Sequence, residues 1–508
     1  VVCVDALLPA ELAVAAAARE AGCRLVLAGS RGVFGRVFCD VNRGFVVDDA
    51  TGEAPRQALL EHVSTSAEGE VRCVEEQPHG LADGDIVRLE GVRGMESFFD
   101  SGRQFTVRVT GRHTLEIGDT RDAGTHTGGG RLVQVKQPVS VDGVPLGEAL
   151  RTQPPLLHAV SGITRRRART AHACFNSLHD ALQDGAPLEP GGPTAADALA
   201  RAVRESGLLR PEDEDALAIE AFAHCGGGAL APVASFIGGV AAQEALKACM
   251  HKFTPLEGFL YWDALEALPS PLPSRADCAP RGDRLDGARA VLGEAVLARL
   301  AAGHYFVVGA GAIGCEWLKC LALLGAGAGA DGSVHVTDMD QIERSNLNRQ
   351  FLCRPSDVGR PKSECAAAAC ATLNPAFRVT HHTERVQGEM FDEGFWASLD
   401  VVINALDNVA ARLHVDSMCV LHRKPLLESG TSGTKGNTQV VLPDLTASYG
   451  ASVDPPEPEV PVCTLKSFPY AIEHTIQWAR DVFEGEFAQA AEAVNAWISS
   501  GGAHLAEL

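Results

Sequence analysis

The chain has 508 residues, enough for about three or four domains at roughly 100–200 residues each. Hydrophobic residues make up 46% and charged residues 21%, a globular balance that excludes a mostly disordered chain. With 44 Lys and Arg against 65 Asp and Glu the net charge is −21, which argues against nucleic acid or an anionic membrane surface as partner, and no apolar run of about 18 residues is present to span a bilayer.

The 15 cysteines are odd in number and include no C-x-x-C pair, so neither a disulfide framework nor a Cys-rich zinc site is expected. A reducing cytosolic or nuclear compartment is the expected setting. Val1–Val4 reads as a strand already under way, with no basic segment before it. The chain is therefore read as entering a domain part-way rather than as carrying a secretory signal.

Residues 1–62 read as strand, helix and strand, with a helix from Leu12 to Ala21 stopped by Gly22 and a strand at Arg24–Ala28. Residues 63–138 change to short strands, at Val71–Val74, Ile86–Leu89, Phe105–Val109, Leu115–Ile117 and Leu132–Val135, which predicts a small all-β insertion of barrel type. Residues 139–228 look helical. The tract Arg165-Arg166-Arg167 with Arg169 reads there as a solvated helix face rather than a nucleic-acid contact. A helix from Phe236 to Cys249 carries Gly238-Gly239, and two glycines inside a helix suggest close packing against a neighbour. A strand at Phe259–Trp262 is followed by a Pro-rich segment, Pro269 to Asp283, read as a linker and a domain boundary.

From residue 284 to 450 strands and helices alternate, with strands at His304–Val308, Val334–Thr337, Val401–Ala405, Pro425–Glu428 and Thr438–Leu442. That pattern predicts a mostly parallel, doubly wound α/β sheet. Beyond Pro455-Pro456 a helix from Tyr470 to Phe487 carries Ile472, Ile476, Ala479, Phe483 and Phe487 on one face.

The first of these strands runs into Gly309-Ala310-Gly311-Ala312-Ile313-Gly314, a GxGxxG between strand and helix. Such glycines allow a tight turn and close backbone approach to a phosphate at a helix N-terminus, although a βα turn without ligand has the same appearance. The next strand ends at Asp338-Met339-Asp340, and Asp338 lies near the usual distance for an acid that binds ribose hydroxyls. Asn346, Asn348, Arg349 and Gln350 follow. Lys362 comes directly after Pro361 and so falls in a first helical turn. A cation there opposes the helix dipole by about 0.3–1 kcal/mol, a penalty that a polyphosphate facing Lys362 and Arg349 would reverse. The strand Val401–Ala405 leads to Leu406-Asp407-Asn408, where Asp407 with Asp340 suits Mg²⁺. Capping of the following helix by Asp407 or Asn408 is the alternative. Cys463, in Pro461-Val462-Cys463-Thr464 before the last helix, is a candidate nucleophile on the same reasoning that favours a thiolate at a helix start; most lone cysteines are simply buried.

The segments GAGAIGCE, TDMD, IERSNLNRQF, VGRPKSE, ALDN, KPLLESGTSGTKGN, PVCTLKSFP and EHTIQWARDVFEGEF together resemble the ubiquitin-activating enzymes, and the resemblance covers nearly the whole chain. It implies two Rossmann-like adenylation halves of ThiF type with a β insertion and a helical-bundle insertion. Residues 1–65 and 215–275 would form an inactive half and 284–450 the active half. Residues 66–138 would be the first catalytic-cysteine half-domain, 139–214 a four-helix insertion and 451–508 the start of the second cysteine half-domain. It also implies ATP and Mg²⁺ contacts at Ala312, Asp338, Asp340, Asn346, Arg349, Lys362, Asp407 and Asn408, and thioester formation on Cys463. The expected reaction adenylates the C-terminus of ubiquitin and passes the acyl group through Cys463 to a ubiquitin-conjugating enzyme. A ubiquitin-like modifier of the interferon-induced type, a non-catalytic binding fragment and an NAD-dependent oxidoreductase are the alternatives. The family's N-terminal stretch, the rest of its cysteine domain and its ubiquitin-fold domain have no counterpart here, so a fragment of a monomeric parent enzyme is expected.

Overall fold

The computed structural model describes residues 1–75, 78–99, 102–151, 164–182, 193–432, 435–452, 472–489, 491 and 494–495. The chain divides into two units, Val1–Val440 and Val441–Leu508. No helix among the described residues is long and apolar enough to cross a membrane.

The first unit begins with a βαβ turn: β1 (Val2–Val4), α1 (Leu8–Glu20) and β2 (Leu25–Arg31), with β1 and β2 parallel. β3 (Phe34–Asp40) returns antiparallel to β2 and is buried along its whole length. The sequence pattern missed this strand, because Gly35, Arg36 and Asp40 interrupt its apolar run. Arg36 is 6% exposed and donates to both carboxylate oxygens of Glu11 (2.6 and 2.7 Å) and to Asn176 Oδ1 (3.2 Å). Asn176 in turn donates to the His172 carbonyl (2.8 Å), and the His172 ring bonds the Tyr261 hydroxyl (2.6 Å). The buried charges are thus paired and hydrogen-bonded, the condition for keeping them in a core.

After β4 (Phe45–Val47) come β5 (Gln57–Val63), β6 (Glu70–Cys73), β7 (Ile86–Glu90), a short α2 (Glu96–Phe99), β8 (Phe105–Thr106), β9 (Arg108–Val109), β10 (Thr114–Glu116) and β11 (Arg131–Gln134). Seven of these strands form one sheet in the order β8-β7-β11-β5-β6-β10-β9. β8 and β9 stand at its two ends, yet only Val107 separates them, so one bent segment closes the sheet into a small barrel around Leu89, Met95 and Leu115. The barrel also takes in β5, which lies ahead of the strands read from sequence. β12 (Val139–Val141) pairs with β4.

α3 (Leu146–Ala149) leads to three helices that pack together, α4 (Arg165–Leu182), α5 (Pro193–Glu205) and α6 (Ala216–Cys225). The arginine tract on α4 is held by acidic partners. Arg167 pairs with Asp263 (3.2 Å) and Arg169 with Asp213 (2.8 Å), while Arg166 donates to the Glu214 carbonyl (2.9 Å). α7 (Ala231–Met250) lies on β2 and β3, and β13 (Gly258–Asp263) completes the first sheet, order β1-β2-β3-β13. Among the described residues the packing expected at Gly238 and Gly239 is absent, since a Cβ on either would meet nothing within 4 Å. The close approach lies instead at Gly35, where a Cβ would come within 2.2 Å of Ile237 on that helix.

The Pro-rich segment is ordered. Cys278 is buried, and the Asp277 carbonyl accepts from Glu294 N (2.9 Å) in α8 (Asp286–Ala302), a helix interrupted at Gly293. α8 buries Val291 and Leu297 in the same core as Phe34, Phe38 and Phe259.

β14 (His304–Val308), α9 (Ala312–Leu324), β15 (Ser333–Thr337), α10 (Lys362–Leu373), β16 (Val379–His382), α11 (Glu393–Ser398), β17 (Val401–Asn404), α12 (Val409–Leu421), β18 (Leu426–Ser432) and β19 (Lys435–Val441) build the second large sheet. Its order is β16-β15-β14-β17-β18-β19, and the pairs from β16 through β18 are all parallel. The chain moves outward from β14 in one direction and then crosses to β17 on the other side. That reversal opens a crevice at the carboxyl ends of β14 and β17, where open α/β sheets bind ligands. In the second unit α13 (Ile472–Phe483) runs into a π-helical turn, Glu484–Gln489. Its Ile472, Ile476, Phe483 and Phe487 are exposed.

Candidate nucleotide site

The phosphate loop gets its shape from contacts that only glycine permits. Gly309 has φ 102°, and a Cβ on it would lie 2.4 Å from the Ala405 carbonyl oxygen. Gly314 is the inner glycine, because a Cβ there would meet the Gly309 carbonyl at 2.0 Å; it packs under the loop and does not line the cavity. α9 then starts at Ala312 with Gly311 as its N-cap and no side-chain cap, so the first-turn amides remain available to an anion.

A cavity of about 490 Å³ opens at this point. The ends of four parallel strands wall it: Val308 and Gly309 at the end of β14, Asp338 and Asp340 after β15, Glu384–Gln387 after β16, and Ala405–Asn408 after β17. Ala312, Arg349 and Lys362 complete the set expected from sequence. Asn346 does not line the cavity. Its side chain accepts from Glu343 N (2.9 Å) and closes a capping box on the short turn Arg344–Asn346, so its role there is to shape the loop that carries Arg349. Arg349 is exposed, and its Nη1 donates to the Ser345 carbonyl (3.0 Å) and to Asn348 Oδ1 (3.2 Å).

Asp338 accepts from Ala310 N through Oδ2 (2.7 Å) and from Asp340 N through Oδ1 (2.9 Å), which ties the β15 end to the phosphate loop. Burial pushes its carboxyl above the ordinary carboxylate range, against the pull of those amides and of Lys362. Lys362 Nζ bonds Asp340 Oδ2 (2.7 Å). Burial works against the Lys362 ammonium, but the Asp340 hydrogen bond and the charges of Asp338, Asp340 and Asp407 outweigh it and leave its pKa above the ordinary value. The structure also separates the two readings of Leu406-Asp407-Asn408. Asn408 is the N-cap of α12 and accepts from Ala411 N (2.8 Å), whereas the Asp407 carboxylate makes no hydrogen bond among the described residues and faces the cavity.

These residues fit a nucleoside triphosphate with a divalent cation. The loop offers unsatisfied amides, Lys362 and Arg349 offer positive charge, and Asp340 and Asp407 would supply the one or two carboxylates that a Mg²⁺ ion takes when phosphates fill its other positions. Among the described residues no cluster of three His, Cys, Asp or Glu side chains forms a site for a metal by itself.

Sequence reasoning missed Arg412, Glu384 and Val386. They arrive from α12 and from the exit of β16, far along the chain from the glycine motif and without a pattern of their own. None of the described cysteines lines the cavity. Burial pushes the thiols of Cys315, Cys370 and Cys419 up to about 12, so they are inert at neutral pH. Cys463 lies outside the described residues.

The ThiF family model matches residues 285–503, the stretch that contains the cavity, and the model of the ubiquitin-activating enzyme E1 FCCH domain matches residues 66–136, most of the barrel. Over 489 residues the chain is 45% identical to the ubiquitin-like modifier-activating enzyme 1 of Homo sapiens. The chain is similar to the ubiquitin-activating enzyme family over nearly its whole length. It is 44% identical over 485 residues to a second family member, the ubiquitin-activating enzyme E1 1 of Schizosaccharomyces pombe, and 41% identical over 486 residues to the Arabidopsis thaliana protein of the same name. These alignments cover 94% of this chain but 46%, 47% and 45% of the three relatives, so the chain spans about half the length of the curated relatives it matches.

Proposed function

We propose that this chain is the adenylating part of a ubiquitin-activating enzyme. It would bind ATP with Mg²⁺, join the C-terminal carboxylate of ubiquitin to AMP, and take the acyl group onto Cys463 for transfer to a ubiquitin-conjugating enzyme. The observation that carries this reading is the gathering of Asp340, Arg349, Lys362 and Asp407 around one cavity at the phosphate loop. A nicotinamide dinucleotide would leave that charge set without a purpose.

In the first half-reaction a carboxylate oxygen of the modifier attacks the α-phosphorus. The bond from that phosphorus to the bridging oxygen of the β-phosphate breaks, and pyrophosphate leaves. The attacking carboxylate is already deprotonated and needs no general base. Lys362 and Arg349 stabilise the charge on the phosphates, and electrostatic stabilisation of this kind commonly lowers the barrier more than any other single effect. The first-turn amides of α9 hold phosphate oxygens, and Asp338 accepts from the ribose hydroxyls. Asp340 and Asp407 would hold Mg²⁺, which neutralises phosphate charge when bound. In the second half-reaction the Cys463 thiolate attacks the acyl carbon, the carbon–oxygen bond to AMP breaks, and a thioester forms.

The same reading assigns residues 1–65 and 215–275 to an adenylation half without a nucleotide and 284–450 to the half that binds one. Residues 66–138 and 451–508 belong to the catalytic-cysteine domain, and 139–214 to a four-helix insertion. A monomer in cytosol and nucleus is the setting we expect. ATP–pyrophosphate exchange by the chain tests the reading. Exchange that depends on added ubiquitin, and is faster with it than with the interferon-induced modifier, supports it; a chain that binds NAD in preference to ATP refutes it.

A further inference from the structure

We propose that Arg412 is a positioning residue: anchored on the buried carboxylate of Glu428, its guanidinium fixes the Leu406 carbonyl and so sets where the Asp407 carboxylate stands in the cavity. The proposal rests on the nucleotide reading of that cavity.

Asp407 has no side-chain tether of its own among the described residues, so its place depends on the backbone on either side. On the C-terminal side the Asn408 cap holds the start of α12. On the N-terminal side Arg412, one turn into the same helix, reaches back. Its Nη2 and Nε both donate to the Leu406 carbonyl (2.6 and 3.2 Å), and Nη2 also donates to the Ser429 carbonyl (3.3 Å) on β18. Two donors of one planar fork on a single carbonyl fix its direction as well as its distance. The peptide unit is planar, so a fixed Leu406 carbonyl fixes the Asp407 amide and Cα.

The guanidinium is itself held from below. Glu428 is 5% exposed, and its Oε1 lies 3.2 Å from Arg412 Nη1, while its Oε2 accepts from Asn404 Nδ2 (2.7 Å). Asn404, fully buried, stands beside Glu428 on the neighbouring strand. Gly430 leaves the space, because a Cβ there would lie 2.8 Å from Arg412 Nη2. A buried ion pair is weak evidence of stability, since apolar residues of similar volume often do as well. A carboxylate kept there therefore calls for another use, and its position directly beneath the Asp407 loop supplies one.

The test uses the full chain. ATP affinity is measured with Mg²⁺ and with a chelator, and amide hydrogen exchange of residues 405–411 is followed without nucleotide. Arg412 also borders the cavity, so the readout is the ratio of the two affinities: for Arg412→Gln we expect the Mg²⁺-dependent gain in ATP affinity to fall about tenfold and the Asp407 and Asn408 amides to exchange about tenfold faster. In an Asp407→Asn background the same substitution should change the gain no further, because both act through one carboxylate. Arg412→Lys keeps the charge against Glu428 without the fork; it should lose the gain similarly, and it decides the matter if the Gln variant fails to fold. An undiminished gain in the folded variant, or a loss that adds in full to that of Asp407→Asn, overturns the proposal. A parent chain that binds no ATP under either condition overturns the nucleotide reading instead.

Discussion

Gly309 and Gly311 belong to one motif, yet the structure gives them different work, and replacing each by alanine separates the two roles. At Gly309 the backbone has φ 102° and the added Cβ would sit 2.4 Å from the Ala405 carbonyl oxygen, against about 3.3 Å for an ordinary carbon–oxygen contact. Relief requires β14 and β17 to part by roughly 1 Å, which breaks the bond from Ala405 N to the Val308 carbonyl (2.8 Å). Backbone strain of about 1–3 kcal/mol and a lost hydrogen bond of about 0.5–1.5 kcal/mol, less a few tenths from the stiffer unfolded chain, leave roughly 1–4 kcal/mol. For a domain of this kind that lowers the melting temperature by about 3–15 °C. Gly311 has φ −72° and open space where its Cβ would go. Gly311→Ala should melt within about 2 °C of the parent and still weaken ATP binding, because the new methyl enters the cavity at the N-cap of α9. Calorimetric melting and equilibrium ATP binding on both variants provide the comparison. Equal melting temperatures for the two, or a lower one for Gly311→Ala, would refute the reasoning.

His172 is nearly wholly buried, and desolvation lowers its pKa from 6.5 to about 4. The folded state binds the proton less tightly than the unfolded one, so this group's contribution falls as pH drops from 6.5 toward 4. At pH 5 the loss should be about 2 kcal/mol, and His172→Gln should show a correspondingly flatter decline in melting temperature between pH 7 and pH 5. Gly238→Ala and Gly239→Ala should each raise stability by about 0.5–1 kcal/mol, because both positions are helical, exposed and unobstructed; urea midpoints below the parent would show a hidden contact. Cys463→Ala, in a chain that forms the modifier thioester, should abolish that thioester and leave ATP–pyrophosphate exchange intact. A reducing-agent-sensitive adduct persisting in the variant would place the nucleophile elsewhere.

The glycine motif and the acids downstream of it were legible because each falls where a strand ends, and strand ends are marked by a local change of pattern; Lys362 was legible because Pro361 marks the start of a helix. Asp338, Lys362 and Asp407 could be placed by these local signals without knowledge of the strand order. Arg412, Glu428 and Asn404 could not, because their relation exists only once β17 and β18 pair. β16 was missed for a related reason: Val379-Thr380-His381-His382 shows no apolar alternation, and its strand character comes from pairing with β15. Asn346 marks a different limit. A polar side chain in a promising stretch is as well suited to a capping box as to a ligand, and the coordinates add the capping box. At Gly238-Gly239 composition suggested a crowded helix, whereas the crowding is on the strand that faces it, at Gly35.

α9 begins at the phosphate loop, and part-way along it Cys320 Sγ lies 3.6 Å from Ser235 Oγ of α7, a helix that covers the first sheet. The segment ahead of α7 is held in turn, where Ala229 N bonds the Gly287 carbonyl (3.0 Å) at the start of α8 and Gly32 N bonds the Gly228 carbonyl (3.0 Å). A helix dipole stabilises an incoming phosphate most when it is already aimed, since any reorientation on binding subtracts from the gain. On the proposed function the first sheet would act as a backstop that keeps the dipole aimed at the phosphate. Substitutions that loosen residues 1–263 should then surface as weaker nucleotide binding, at a distance, with every residue of the cavity unchanged.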